Sequence, residues 1–261
     1  MSKTLFPLNG KTAIGMVHCL ALPGAANFDG NMDKVVMQAI EDARTLERAG
    51  ADAVIVENMN DLPLPAELNK VEVAALAAVT SLVRHAVSIP VGVDAAFSDG
   101  EAAVAVAVSA GAQFVRCPVF VDTVVNFCGT IGPSAQIVMQ TKARLHAEDI
   151  FVLADIQVKH SRMLLPEISI EESAANAVAC GADGIVVTGL TTGMATPMEL
   201  VTRVKDVVQV PVFVGSGVTA KSIANQLSIA DGAIIGTNTK PGGVLSAPVD
   251  YDLAYELFSS R

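Results

Sequence analysis

The chain has 261 residues, 51% of them hydrophobic and 17% charged, with 17 basic against 27 acidic side chains and a formal net charge of −10. This composition excludes a disordered or low-complexity protein, which would be poor in apolar residues and rich in charge. It also lacks the general basic field that nucleic acid or an anionic membrane surface demands, so no nucleic-acid partner is expected.

At this length roughly three-quarters of the unfolded chain's surface can be buried, enough for one sizeable core. No composition break or Pro/Ser-rich linker divides residues 1–261, so a single domain is expected. The opening twelve residues carry no apolar run of the kind that directs export. Cys19, Cys117, Cys128 and Cys180 show no CxxC spacing, which fits reduced thiols better than a disulfide framework or a zinc ribbon. A cytoplasmic protein is expected. The longest charge-free stretch, 123–141, is broken by Asn, Gln, Gly and Pro, and no transmembrane helix is predicted.

The first β-rich run spans 12–17 and leads to His18. Val35, Val36, Ala39, Ile40, Ala43 and Leu46 then form one helical stripe before Gly50. A second run, 52–57, ends in Glu57; a third, 91–94, ends in Asp94; a fourth, 113–116, ends in Arg116. Between the third and fourth, Ser98 with Glu101 reads as a capping box. The fifth run, 150–156, precedes a second such box at Ser169 and Glu172; the sixth, 184–188, precedes a third at Thr196 and Glu199 with Pro197. Runs at 210–214 and 232–235 complete eight βα units.

Helix-to-strand connections are short, whereas the strand-to-helix segments 18–32, 58–69, 117–134 and 157–169 are long. Eight parallel strands with elaborated C-terminal loops describe a (β/α)8 TIM barrel with its site on that face. An open doubly wound sheet is the competing architecture.

After the seventh strand comes Gly215-Ser216-Gly217-Val218-Thr219, with Thr219 placed to cap a short helix through Leu227. After the eighth comes Gly236-Thr237-Asn238-Thr239-Lys240. Glycines let backbone N–H groups approach an anion, and loops after barrel strands seven and eight frequently hold phosphate. Gly215, Ser216, Gly217, Gly236 and Thr237 are therefore candidate phosphate ligands, with Lys240 a nearby cation; tight turns alone are the plainer alternative.

Strand alternation gives Asp155, Gln157 and Lys159 one parity if extension continues past Ile156. Among apolar walls Lys159 would become an amine nucleophile, or stay charged and stabilise an enolate or phosphate. His160 beside it would move protons near neutral pH. His18, Glu57, Asp94 and Arg116 would ring the mouth with Asp155. Such a ring would bind a divalent metal or divide acid and base roles, although no HxH or HExxH spacing accompanies it and no cofactor is assured. An internal ion-pair layer among Glu57, Arg116 and Asp94 explains the same pattern.

Several separated motifs resemble the BtpA family over essentially the whole chain: Gly15 to His18, Leu22 to Gly24, Val56 to Asn58 with Asp61 and Pro63, Ala154-Asp155, Val158-Lys159-His160, Thr188-Gly189, Thr192-Gly193, and the two glycine segments. The resemblance implies a ribulose-phosphate-binding type of barrel; the family's founding member is linked to photosystem I biogenesis. This sequence departs after strand three, with Asp94-Ala95-Ala96-Phe97-Ser98-Asp99, and after strand four, in segment 121–129.

The expectation is a cytoplasmic barrel enzyme acting on a small phosphorylated metabolite such as a phosphosugar, in lyase or isomerase chemistry. Asp155, Lys159, His160, Glu57, Asp94 and His18 would be its catalytic groups. A non-enzymatic assembly or regulatory scaffold and a nucleotide phosphohydrolase are the alternatives. Apolar Ala- and Val-rich helix faces also allow a homo-oligomer.

Overall fold

A computed structural model describes residues 11–189 and 194–261. The resemblance motif Thr192-Gly193 and the opening residues 1–10 lie outside them. The eight expected strands are all present: β1 (Thr12–His18), β2 (Ala53–Glu57), β3 (Val91–Asp94), β4 (Phe114–Cys117), β7 (Phe151–Ile156), β9 (Gly184–Val187), β10 (Val212–Val214) and β11 (Gly232–Ile235). All pair in parallel and close into a barrel in the order β1-β11-β10-β9-β7-β4-β3-β2. Closure excludes the open doubly wound sheet.

Eight helices follow the barrel strands in turn: α1 (Met32–Ala49), α2 (Lys70–Ala86), α3 (Gly100–Ala110), α4 (Ala135–Arg144), α5 (Ile170–Ala179), α6 (Met198–Lys205), α7 (Ile223–Leu227) and α8 (Tyr251–Ser259). The three expected capping boxes fare differently. Ser169 accepts a hydrogen bond from the Glu172 backbone N–H, as expected. At α3 the cap is Asp99, whose side chain accepts from Ala102 N–H while Ser98 Oγ stays unpaired. Thr196 turns inward, toward the carbonyls of Val187 and Ser216, and leaves α6 without a side-chain cap. A complete box not foreseen forms at Asn69 and Glu72.

Alternation along the strands separates two apolar layers. Ile14, Met16, Ala53, Ile55, Phe114, Phe151, Leu153, Val186, Phe213 and Ile234 fill the barrel interior. Gly92 and Gly232 leave the space that Phe114 and Phe213 occupy, the small-against-large pairing a tapering barrel needs. The alternate residues pack outward against the helices. Above the interior apolar residues the same parity places His18, Glu57, Asp94, Arg116 and Asp155 in one polar tier, with His18 beside Glu57 and Glu57 beside Asp94 across adjacent strands.

The long loops build a second, smaller sheet. β5 (Val124–Asn126) and β6 (Gly129–Ile131) form a hairpin after β4, and β8 (Arg162–Met163) after β7 adds to its edge. Beneath it Leu64, Ala96, Phe97, Val119, Val124, Ile131 and Val158 make a separate apolar cluster, drawn from the loops after four barrel strands. This roof stands over the C-terminal mouth.

Candidate active site

Two adjoining spaces open at that mouth. The first is a narrow cleft of about 40 Å3, lined by His18, Glu57, Met59, Arg116 and Lys159 on one side. Gly215, Ser216, Gly217, Gly236, Thr237 and Asn238 line the other. At roughly 10–15 Å3 per water, it has room for about three waters, or one phosphate-sized anion. The second space is a chamber of about 340 Å3 that shares Glu57, Met59, Arg116 and Lys159 with the cleft. Asp94 and His160 line the chamber only.

The glycine loops are shaped by necessity. Gly217 has φ +67°, and a Cβ there would overlap the backbone of Ala195. Among the described residues, no acceptor pairs with the backbone N–H of Ser216 or Gly217. The Ser216 hydroxyl, in contrast, is already engaged: it accepts from Gly189 N–H at 2.7 Å and donates to the Met194 carbonyl at 3.0 Å. Ser216 thus offers its backbone rather than its side chain. Asn238 Nδ2 donates to the Val218 carbonyl at 2.7 Å and holds the two loops together.

Two expectations about this end need correction. The helix behind the first loop, α7, has five residues and starts only at Ile223, so the loop itself faces the cleft and Thr219 turns the chain before it. Lys240 is fully buried and points away, its Nζ donating to the Ala247 carbonyl and lying 3.4 Å from Asp42 Oδ2. The cations that do reach the cleft are Lys159 and Arg116.

Arg116 organises the polar tier. Its Nε and Nη2 donate to Asp155 Oδ1 and Oδ2 at 2.9 and 2.7 Å, a two-pronged pair with both partners buried. Asp155 lines neither space, so the structure places it as the anchor of Arg116 rather than as a group in reach of a ligand. Of the ion-pair layer expected among Glu57, Arg116 and Asp94, the Arg116–Asp94 pair is present, but the carboxylate that Arg116 clasps is Asp155, outside that set. Asp94 forms a looser ion pair, 3.6 Å from Arg116 Nη1 and beyond hydrogen-bonding distance, and neither of its carboxyl oxygens has a hydrogen-bond partner. Burial and the neighbouring Glu57 charge push its pKa well above the carboxylate range, which favours the neutral acid.

Glu57 is the opposite case. Burial would raise its pKa, but the hydrogen bond and charge of His18, with Arg116 and Lys159, outweigh it and hold the group below the usual range. His18 Nε2 lies 3.2 Å from Glu57 Oε2, and its Nδ1 is buried without a partner. Two carboxyls side by side are thus pushed toward opposite protonation states.

The ladder expected from Asp155 through Gln157 to Lys159 breaks at Gln157, whose φ of +45° is left-handed. Gln157 turns aside, its side chain donating to the Ile168 carbonyl and its N–H to Asp122. Lys159 still reaches the site by another route, because its N–H donates to Thr188 Oγ1 at 3.0 Å. Burial and the Arg116 charge lower the Lys159 pKa, and burial with Lys159 lowers that of His160.

Asn58 and Asp61 serve the scaffold. Asn58, fully buried, bonds Ala96 N–H and carbonyl and donates to Asp61, which accepts from Leu22 N–H. This knot locks the loops after β1, β2 and β3. Sequence reasoning missed the chamber's Phe97 and Phe127, whose rings meet edge to face at 5.9 Å. Their placement in strand-to-helix loops of a chain with 4% aromatic residues was the available signal. Among the described residues, no group of three or more His, Cys, Asp or Glu is arranged to hold a metal ion, and the Arg116 charge amid the carboxylates opposes one. No helix there is long and apolar enough to cross a membrane.

Among solved structures, the fold is similar to tryptophan synthase from Mycobacterium tuberculosis, with a TM-score of 0.66, 19% identity and coverage of 100% of this chain and 98% of that one. It is also similar to (S)-3-O-geranylgeranylglyceryl phosphate synthase from Thermoplasma acidophilum in complex with sn-glycerol-1-phosphate, at TM-score 0.63, 16% identity and the same coverage. At these identities the likeness concerns the barrel alone. An uncharacterized protein of Thermococcus kodakarensis is 37% identical over 95% of this chain and 94% of its own length. The photosystem I biogenesis protein BtpA of Synechocystis is 32% identical over 91% of this chain and 83% of its own. The BtpA family model matches residues 9–260, and the chain belongs to that family.

Proposed function

We propose that the chain is an enzyme acting on a small phosphorylated metabolite, its phosphate held by Gly215, Ser216, Gly217, Gly236 and Thr237. One observation carries this reading: both glycine loops face the same cleft as Lys159, Arg116, Glu57 and His18. Phosphate set against the loops would place the next carbons of the ligand beside the opposite wall. There Glu57, ionised, serves as base, and Lys159, its charge disfavoured, supplies an amine to a carbonyl or a proton to a developing oxyanion. His18 orients Glu57. His160 acts from the chamber side and Asp94 as a neutral acid, while Asp155 positions Arg116. Proton abstraction next to a carbonyl, as in isomerase or lyase chemistry, is the class this arrangement supports. The fold neighbour bound to sn-glycerol-1-phosphate lends support, since phosphorylated ligands suit this type of barrel.

The experiment is thermal denaturation with inorganic phosphate and with ribose 5-phosphate. Both are expected to raise Tm, and Gly217→Asp to abolish the rise; no shift with either ligand refutes the reading. The name of the Synechocystis relative favours a second reading, a metabolite-binding barrel used in assembly. Solvent deuterium appearing in a bound phosphosugar would decide for the enzyme, and binding without any exchange for the scaffold.

A further inference from the structure

The chamber beside the cleft asks what the rest of the ligand is. Its walls are apolar, built from Leu64, Phe97, Pro118, Phe127 and Val158, with Leu62 at the rim. At about 340 Å3 it is roughly twice the 150 Å3 of an apolar cavity that binds benzene. A bare phosphosugar would find polar partners only toward Glu57, Asp94, Arg116, Lys159 and His160, and hydroxyls set against the apolar walls would lose their hydrogen bonds to water. A flat ring would not, and the edge-to-face pair of Phe97 and Phe127 leaves aromatic surface for it.

A second observation points the same way. Asp94 is fully buried, faces the barrel mouth at the back of the chamber, and has two carboxyl oxygens without any hydrogen-bond partner. Buried polar atoms in native proteins are nearly always satisfied, so an orphaned carboxyl at a cavity wall marks a place where a ligand completes the bonding. As a neutral acid it has both a donor and an acceptor to offer.

We infer that the substrate is a phosphate ester bearing a flat aromatic or heteroaromatic ring, whose phosphate lies at the glycine loops, whose ring fills the chamber under Phe97 and Phe127, and whose polar edge meets Asp94. This rests on the phosphate reading above and narrows it. The hairpin of β5 and β6, which carries Phe127 between its strands, is then a specificity element.

Calorimetric titration with four probes tests this: inorganic phosphate, ribose 5-phosphate, 1-naphthyl phosphate, and a nucleoside 5′-monophosphate, which sets ring and phosphate farther apart. At least one ring-bearing ester is expected to bind tenfold or more tightly than ribose 5-phosphate. Phe127→Ala, on an exposed hairpin, is expected to remove that advantage while inorganic phosphate still binds. If inorganic phosphate or ribose 5-phosphate binds but neither ring ester gains affinity, the ring inference is overturned and the phosphate reading stands. An advantage that survives both Phe127→Ala and Leu64→Asp also overturns it, because the ring then lies elsewhere. If none of the four binds, both readings fall together.

Discussion

A Cβ at position 236 would stand 2.7 Å from His18 Cε1, so the glycine that opens the second glycine loop is also what lets His18 lie against Glu57. That loop and the polar tier are therefore one packing unit. Gly236→Ala is expected to push the imidazole aside at an overpacking cost of about 1–3 kcal/mol. Glu57 then loses its first partner and its pKa rises. NMR titration of the Glu57 carboxyl would show this; an unchanged titration would mean that His18 does not hold it.

Arg116 and Asp155 make a two-pronged ion pair in the barrel, with both partners buried. Arg116→Met leaves Asp155 charged and unpaired, and should destabilise the fold by about 3–5 kcal/mol in urea denaturation. Arg116→Met combined with Asp155→Leu should recover most of that loss. A double variant as unstable as the single one would show that Arg116 matters through Asp94 or Glu57 instead.

Asp61 gives a pH signature. Burial raises its pKa to about 6 from an ordinary 3.8. A folded-state pKa above the unfolded one favours the protonated fold, so this stabilisation is complete below about pH 4 and is lost as pH rises through 6. The change amounts to about 3 kcal/mol. The stability of the wild type relative to Asp61→Asn should fall by that order between pH 4 and pH 7. A pH-independent difference would place the Asp61 pKa at its ordinary value.

Lys159, half-buried, and Lys240, fully buried, should separate cleanly. Lys159→Gln is expected to cut turnover by 100-fold or more, and borohydride with a ketose phosphate to trap an adduct at Lys159 if the amine attacks a carbonyl. Lys240→Met should instead lower stability by about 3 kcal/mol, since Asp42 loses its ion-pair partner, while the phosphate-induced Tm shift persists. Loss of that shift in a Lys240→Met protein that is still folded would restore Lys240 to the phosphate site.

Strand positions, the βα repeat and the inward parity of His18, Glu57, Asp94, Arg116 and Asp155 were all legible in the sequence. Each follows from local rules: side-chain alternation, helical period, and glycine at the helix ends. The glycine loops were legible for the same reason, because a backbone that must turn sharply or pass close to another chain segment needs glycine whatever the fold.

What alternation cannot say is which inward residue meets which. Asp155 and Asp94 share a tier, a charge type and a strand-end position, yet one is clasped by two hydrogen bonds from Arg116 and the other, 3.6 Å from the same guanidinium, accepts none. That difference depends on inter-strand register, which exists only after the barrel closes. Likewise Gln157 leaves the strand at a left-handed turn, and Lys159 is brought back by Thr188 from a neighbouring strand end. The sequence by itself determined the repeated βα units, the polar strand ends and the glycine loops, because these rest on periodicity and backbone freedom, while closure into a barrel was seen only in the structure. Only the tertiary structure decided which rim groups face a ligand, and that an apolar chamber adjoins the cleft, because those depend on contacts between residues far apart along the chain.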